Sequence, residues 1–135
     1  MNRNNKKILI TGAAGFIGFH LVKKMTSLGF KVVGIDNLNQ NYDKKIKKDR
    51  VKFLNNNIKK KFFTFLKCNI DKKNQLKKLY KYKFDYVIHL AAQPGVRYSL
   101  LEPEIVFESN IRGFFNILEI VKKNRVQHFM YASSS

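Results

Sequence analysis

The sequence predicts an α/β fold in which a parallel β-sheet has helices on both faces. Short continuous apolar runs alternate along the chain with segments whose apolar residues recur at helical spacing. Uninterrupted apolar strands are typical of parallel sheets that are buried on both faces. The chain has 135 residues, 44% of them hydrophobic, which suffices for the core of a single domain.

The strands are expected where the apolar runs lie, at residues 8–10, 31–35, 62–70, 84–90 and 127–133. The second strand ends at Asp36, and a polar stretch rich in Asn and Lys continues from there to about Asn57 with no readable period. Pro94, Gly95 and Pro103 indicate a loop after the fourth strand.

Three helices are expected between these strands. The first has an apolar stripe and is ended by Gly29, the second is short, and the third is strongly amphipathic. Their apolar positions are Ile17, Leu21, Met25 and Leu28 in the first helix, Leu76, Leu79 and Tyr80 in the second, and Phe107, Ile111, Phe114, Leu118 and Val121 in the third.

The charge balance is strongly basic, with 27 Lys and Arg against 9 Asp and Glu and a net charge of +18. The excess is mostly lysine and is spread over every polar segment, as an AT-rich coding sequence would produce. We interpret it as a solvated surface and predict no nucleic-acid partner, because no reading motif accompanies the charge. The charge would still attract an anionic small molecule at long range.

Composition also bears on the compartment. No run of about 18 apolar residues is present, so no membrane span and no membrane partner are predicted. The basic N-terminus and the apolar run after it resemble a secretory signal, but regularly spaced glycines fit a loop and helix better. The single Cys68 cannot form an internal disulfide, which agrees with a reducing compartment. A soluble cytoplasmic protein without a metal site is expected.

The stretch "TGAAGFIG" places Gly12, Gly15 and Gly18 between the first strand and the first helix. Glycines there permit a tight turn, close approach of a pyrophosphate to backbone N–H groups, and close packing of helix on strand. Asp36, at the end of the second strand, can accept hydrogen bonds from ribose hydroxyls and would repel a 2′-phosphate. The combination predicts binding of NAD in preference to NADP.

Further motifs specify a family. The spacing TGxxGxxG, "DNLNQNYD" from Asp36, "HLAAQPGVRYSLLEPE" from His89, "SNIRGFFNILE" from Ser109 and the terminal "YASSS" together resemble the extended short-chain dehydrogenase/reductases, also called NAD-dependent epimerase/dehydratases, which act on nucleotide sugars. Within that family they are most similar to the UDP-glucuronate 4-epimerase branch. The resemblance extends over nearly all 135 residues and implies a Rossmann-type doubly wound sheet of strand order 3-2-1-4-5, truncated after the fifth strand.

The resemblance also implies a set of residues that bind the cofactor. Ala91 and Ala92 would form a backbone wall beside it, and Asn69-Ile70 would contact the adenine, although the family usually has Asp where this chain has Asn69. The full set is Gly12, Ala14, Gly15, Phe16, Ile17, Gly18, Asp36, Asn37, Asn69, Ile70, Leu90, Ala91, Ala92, Gln93 and Asn110.

Three residues allow a structural as well as a functional interpretation. His89 is better explained as an ordinary strand residue. Asn110 falls on the predicted buried stripe, so its amide must find partners, either near the nicotinamide or on the backbone of the core. Arg97 would steer the carboxylate of an acidic sugar or a phosphate, or be a solvated loop residue.

The resemblance assigns Ser134 as the hydroxyl that polarises the sugar, with Ser135 beside the substrate. The family's general base is a tyrosine in a Tyr-x-x-x-Lys pair, and no tyrosine of these 135 residues has a lysine four positions later. We therefore expect an N-terminal part of a longer enzyme, residues 1–135 being part of its NAD-binding domain and the substrate lobe being absent.

The expected parent is an epimerase that oxidises C4 of a UDP-sugar, rotates the keto-sugar and reduces it again, and that forms a homodimer through helices including residues 104–124. The fragment alone is expected to be inactive. A dehydratase or decarboxylase of the same family, a non-catalytic NAD-binding module and a basic nucleic-acid binder remain alternatives.

Overall fold

The computed structural model describes residues 5–39 and 44–133. Within these ranges five strands form one parallel sheet in the order β3-β2-β1-β4-β5, which confirms the predicted architecture. The strands are β1 Lys7–Thr11, β2 Lys31–Asp36, β3 Phe63–Lys67, β4 Tyr86–His89 and β5 His128–Tyr131.

Helices connect the strands, and no helix among the described residues is long and apolar enough to cross a membrane. They are α1 Phe16–Ser27, α2 Lys44–Asn57, α3 Lys73–Leu76 with a 3₁₀ turn at Lys77–Lys81, α4 Val96–Leu101, α5 Pro103–Phe107, a π turn at Glu108–Arg112, and α6 Gly113–Asn124.

Each face of the sheet carries its own hydrophobic core, because successive side chains of a strand point to opposite faces. Leu9 faces the side covered by Ile117 and Ile120 of α6. Ile8 and Ile10 face the side covered by α1 and α2. The central strands are therefore apolar along their whole length, which is the pattern seen in the sequence.

Helix α1 begins and ends as predicted. Gly29 has a φ of 90°, and its N–H donates to the carbonyl of Thr26, so it ends the helix in the left-handed conformation that favours glycine. The predicted stripe is only half right, because Leu21 and Met25 pack against the core whereas Ile17 is exposed.

Two helices lie where none was expected. Helix α2 occupies the polar stretch after Asp36, and α4 occupies the predicted loop after β4. The buried residues of α2 are Lys47, Val51 and Leu54, spaced i, i+4 and i+7. Because the first of these positions is a lysine, the apolar period is incomplete in the sequence, and hydrophobicity alone does not predict the helix.

The predicted buried face of the long third helix is only partly right, since Phe114 and Val121 pack inward as expected but the first two positions do not. Phe107 and Ile111 are more than half exposed, and the residues that face the sheet are Gly113, Asn116, Ile117 and Ile120. The π turn at 108–112 interrupts the helix, so a single 3.6-residue period cannot be extrapolated through it. Gly113 also lets the helix approach closely, since a Cβ there would lie 2.7 Å from the side chain of Ile70.

A buried pair joins the ends of β1 and β4. The Thr11 hydroxyl oxygen accepts hydrogen bonds from the N–H groups of Leu90 and Ala91 and lies 2.7 Å from His89 Nδ1. Because both lone pairs of the hydroxyl already accept hydrogen bonds, the hydroxyl donates its own hydrogen bond to Nδ1, which must be unprotonated. His89 is thus neutral, with its proton on Nε2. It has a structural role at the end of β4, and an ordinary strand residue was the interpretation that the sequence favoured.

The structure predicts acid sensitivity from this pair. Burial lowers the pKa of His89 to about 4 from 6.5, so between those values the unfolded chain binds a proton that the folded chain does not. The free energy of unfolding should therefore decrease as pH falls below about 6.5, with a slope approaching about 1.4 kcal/mol per pH unit. Urea denaturation followed by circular dichroism at pH 7, 6 and 5 measures this slope.

The matched comparison uses His89→Gln, in which the slope should flatten, and His20→Gln, a change at an exposed histidine, in which it should persist. An equal slope in all three proteins would contradict the assignment.

Candidate cofactor-binding site

A cavity of about 460 Å³ opens at the carboxyl ends of the strands. It lies where β1 is flanked by β2 on one side and β4 on the other, and the connections diverge there to opposite sides of β1. In open α/β sheets such a divergence leaves a crevice in which ligands bind. The fold therefore places a site where the sequence motifs predicted one.

Most of the predicted cofactor residues meet at this cavity. Those that line it are Gly12, Gly15, Phe16, Ile17, Gly18, Asp36, Asn37, Asn69, Ile70, Leu90, Ala91 and Ala92. They come from the ends of four different strands, so the sheet order brings together segments that are far apart in the sequence.

The glycine loop is held by close backbone contacts. Gly12 has a φ of 71°, and a Cβ on it would lie 3.0 Å from the backbone nitrogen of Ala91. A Cβ on Gly18 would overlap the carbonyl oxygen of Gly12, so this position allows only glycine. At Gly15 the backbone is extended, but a Cβ there would lie 3.1 Å from the carbonyl oxygen of Gly12, so even a methyl group would press on the loop.

The N-terminus of α1 points into the cavity with its N–H groups uncapped. Gly15 is the N-cap and provides no side-chain cap, and the first turn contains no acidic residue. The first helical hydrogen bond runs from the N–H of Phe19 to the carbonyl of Gly15, so the N–H groups of residues 16–18 precede it. These donors and the helix dipole favour an anionic group.

Asp36 is a buried carboxylate at the centre of the site. Its Oδ2 accepts a hydrogen bond from the N–H of Ala14 at 3.1 Å, and its Oδ1 accepts one from the N–H of Leu38 at 2.8 Å. Leu38 has a φ of 57°, which is uncommon for a branched residue and is held by this turn. Asp36 therefore fixes both the glycine loop and the start of the following segment.

Lys47 of α2 is a site residue that sequence reasoning missed. Its side chain is only 10% exposed, and its Nζ donates to Asn39 Oδ1 at 2.8 Å and lies 3.7 Å from Asp36 Oδ1. The ion pair compensates the buried charge of Asp36. The spacing of Lys47 with Val51 and Leu54 was the signal that could have revealed it.

Other lining residues were also missed. They are Ile35, Asn39, Arg50, Cys68, Pro94, Ser109 and Ala132. Burial raises the pKa of the Cys68 thiol, which only the charge of Lys78 opposes, so the thiol is protonated at neutral pH and serves packing. These residues have no motif spacing of their own, and only the fold brings them to the cavity.

Three predicted cofactor residues do not line this cavity but support it. Ala14 holds Asp36 through its N–H. Asn110 accepts a hydrogen bond from the N–H of Gln93 at 2.7 Å and donates one to its carbonyl at 3.1 Å. Gln93 lines a smaller adjoining cavity of about 300 Å³ together with Asn69. Asn110 thus fixes the loop after β4 through two hydrogen bonds to the backbone of Gln93. Of the two interpretations of Asn110, this contact corresponds to the one in which its amide binds backbone groups.

Of the predicted substrate and catalytic residues, Arg97 alone is among the described residues. Arg97 is exposed on α4 and does not line either cavity. Ser134 and Ser135 lie outside the described residues, so their roles stay predictions. The adenine contact of Asn69 also stays a prediction, although its backbone N–H is held by Gln75 Oε1 at 2.9 Å.

Comparison with known proteins agrees with this site. Residues 8–135 match the family model described as the NAD dependent epimerase/dehydratase family. Protein CapI of Staphylococcus aureus is 45% identical over 96% of the chain, and UDP-glucuronate 4-epimerase 2 of Arabidopsis thaliana is 39% identical over 98%. The chain spans only 38% and 30% of the lengths of these two proteins.

Solved structures show the same fold. An epimerase of Methanothermobacter thermautotrophicus superposes with a TM-score of 0.81 at 30% identity, over 98% of this chain and 36% of its own. The UDP-glucose 4-epimerase of Thermus thermophilus in complex with NAD superposes with a TM-score of 0.76 at 29% identity, over 95% of this chain and 37% of its own.

The Lys47–Asp36 pair leads to a stability prediction. Lys47→Met leaves a buried carboxylate without its counter-charge and should lower the free energy of unfolding by about 2 kcal/mol. In the double variant Asp36→Asn/Lys47→Met the loss should be clearly smaller than the sum of the two single losses, because the unpaired charge is gone. Urea denaturation of the four proteins gives this coupling.

Lys48→Met, at the exposed neighbouring position, is the control and should change stability little. Additive losses in the cycle would show that the two side chains do not interact.

Proposed function

The chain belongs to the NAD-dependent epimerase/dehydratase family, and from this premise we propose that residues 1–135 are an NAD-binding domain of a nucleotide-sugar epimerase of the UDP-glucuronate 4-epimerase type. The observation that supports it best is the cavity in which the uncapped N-terminus of α1 and the carboxylate of Asp36 face the same space. A pyrophosphate and a ribose are the two groups that such an arrangement accommodates.

The residues present fit NAD. The N–H groups at the start of α1 would bind the pyrophosphate, and Gly15, which has no side chain, would let it approach the backbone. Each oxygen of Asp36 accepts one backbone hydrogen bond, and a carboxylate oxygen has two acceptor positions. Oδ2 therefore keeps one position for a ribose hydroxyl. Asn69 and Ile70 would contact the adenine.

Bound NAD supplies the hydride acceptor that oxidation of a sugar hydroxyl requires. The residues of this chain would bind the cofactor and orient it. Ala91 and Ala92 form one wall of the cavity, in a loop that is anchored to Thr11. Ser134 would hydrogen-bond the sugar hydroxyl, with Ser135 and Arg97 near the substrate. The Tyr-x-x-x-Lys base is absent from the 135 residues, so no turnover by this chain alone is expected.

The remaining parts of the proposal concern partners and place. A UDP-sugar is the proposed substrate of the parent, because similar proteins are named UDP-glucuronate 4-epimerases. A homodimer is proposed because Phe107, Ile111 and Phe115 form an exposed apolar row along α5, the π turn and α6. The cytoplasm is the proposed location.

NAD binding is tested by titrating the chain with NAD and following ligand NMR signals. Saturable but weak binding is expected, because this chain spans only 38% and 30% of the lengths of the two similar proteins. Gly15→Ala should weaken it by about tenfold or more, because the added methyl occupies the space of the pyrophosphate. Thermal unfolding of this variant measures separately what the contact between the added methyl and the Gly12 carbonyl oxygen, 3.1 Å apart, costs in stability.

Ser27→Ala, at the exposed end of α1, is the control and should bind NAD normally. Binding that is insensitive to Gly15→Ala would exclude the glycine loop as the site, and no binding at millimolar NAD would refute the proposal for this chain.

The reaction is tested at the level of the gene and its full-length product. The reading frame is expected to continue past the codon for Ser135 into a Tyr-x-x-x-Lys segment. The purified full-length protein should then convert UDP-glucuronate into its C4 epimer, without loss of water or carbon dioxide, as measured by NMR of the products. Release of water or carbon dioxide would instead identify a dehydratase or decarboxylase of the same family.

A further inference from the structure

The charges that line the main cavity do not cancel. Its ionised side chains among the described residues are Asp36, Lys47 and Arg50. Lys47 and Asp36 compensate each other as an ion pair. Within residues 5–39 and 44–133, Arg50 makes no ion pair. The cavity therefore holds one positive charge that no carboxylate within residues 5–39 and 44–133 neutralises.

Arg50 lies beside the glycine loop. Its Nη1 donates to the carbonyl oxygen of Ala14 at 3.1 Å, and its guanidinium carbon is 5.8 Å from the centre of the Phe16 ring. Ala14 and Phe16 flank Gly15, the N-cap of α1. The guanidinium is thus next to the N–H groups that form the anion-binding end of the helix.

The chemistry of the guanidinium defines the ligand. It has five N–H donors in a planar fork that matches phosphate oxygens, and in the described part of the chain only one donor makes a hydrogen bond. Arg50 is half buried and lines the cavity, so the remaining donors can reach a bound molecule. A low-dielectric wall strengthens the attraction of such a charge for an anion.

We propose that Arg50 is a phosphate-binding residue of this cavity and contacts a phosphate group of the bound adenine dinucleotide. This inference rests on the proposed binding of NAD and adds a side chain that no motif of the sequence indicated. The phosphate is part of the 5′-pyrophosphate, because NAD carries no phosphate on the 2′ position of its adenosine ribose.

A purely structural role for Arg50 is the competing explanation. Its hydrogen bond to Ala14 supports the glycine loop, so its removal would then weaken every adenosine ligand to the same extent. A phosphate contact, in contrast, affects only ligands that carry the phosphate. The two explanations are separated by comparing ligands with and without it.

The test titrates the chain with adenosine, ADP, adenosine 2′,5′-bisphosphate and NAD, with binding followed by ligand NMR signals. Arg50→Gln should weaken binding of both ADP and NAD by about tenfold while adenosine binds as before. Arg50→Lys should recover part of the loss, since it keeps the charge but not the fork. The difference between ADP and adenosine should shrink at high salt in the unchanged chain.

Lys52→Gln is the matched control, because it removes one positive charge from the exposed side of the same helix. It should leave all affinities unchanged. A selective loss for ADP and NAD places Arg50 on the pyrophosphate and supports the proposal. A loss confined to the bisphosphate would place Arg50 on a 2′-phosphate, which NAD lacks, and would overturn the proposal.

Equal weakening of adenosine and ADP by Arg50→Gln, or no weakening of either, would overturn the phosphate role. If Arg50→Gln binds NAD as tightly as the unchanged chain does, the phosphate role is overturned while the proposed function stands. No binding of any adenine nucleotide by the unchanged chain would refute both.

Discussion

The buried carboxylate of Asp36 is the interaction on which the rest of the site depends. One oxygen holds the glycine loop through Ala14, and the other holds the segment after β2 through Leu38. A buried charge is costly unless hydrogen bonds and a counter-charge compensate it. Lys47 provides the counter-charge, which ties α2 to the loop that would bind the cofactor.

A second connection acts across the sheet. Thr11, at the end of β1, holds the loop after β4 with two backbone hydrogen bonds and places Ala91 against Gly12. The neutral His89 accepts the hydrogen bond that the hydroxyl donates. The hydroxyl, the two N–H groups and the imidazole therefore satisfy one another. The walls of the cavity are in this way positioned by strand ends, whose geometry the two cores keep rigid.

The basic surface and the cavity have different electrostatic roles. The net charge of +18 attracts any anion at long range, and salt screens this attraction. Inside the cavity, Arg50 carries a positive charge that no carboxylate of the described residues pairs with, and the α1 N-terminus adds to it. General attraction and local recognition are therefore separable, and only the second depends on the fold.

The sequence by itself determined the class of fold, the five strands, the glycine loop and Asp36, because each depends on local spacing: apolar runs, a glycine period and a strand end. It also indicated the family through motifs that lie within single segments. It did not reveal α2, since Lys47 stands at a position that an apolar residue would normally mark. It placed Phe107 and Ile111 on the buried face of the long helix, where both are exposed, since a π turn shifts the helical phase.

Only the tertiary structure decided the partners of the site residues. The interaction of Lys47 with Asp36, the position of Arg50 beside Ala14 and the clamp of Asn110 on Gln93 join segments that are between 11 and 36 residues apart. Such contacts depend on how the sheet order and the helix crossings fold the chain back on itself. Local sequence patterns do not encode these contacts, because they are set by the packing of whole elements.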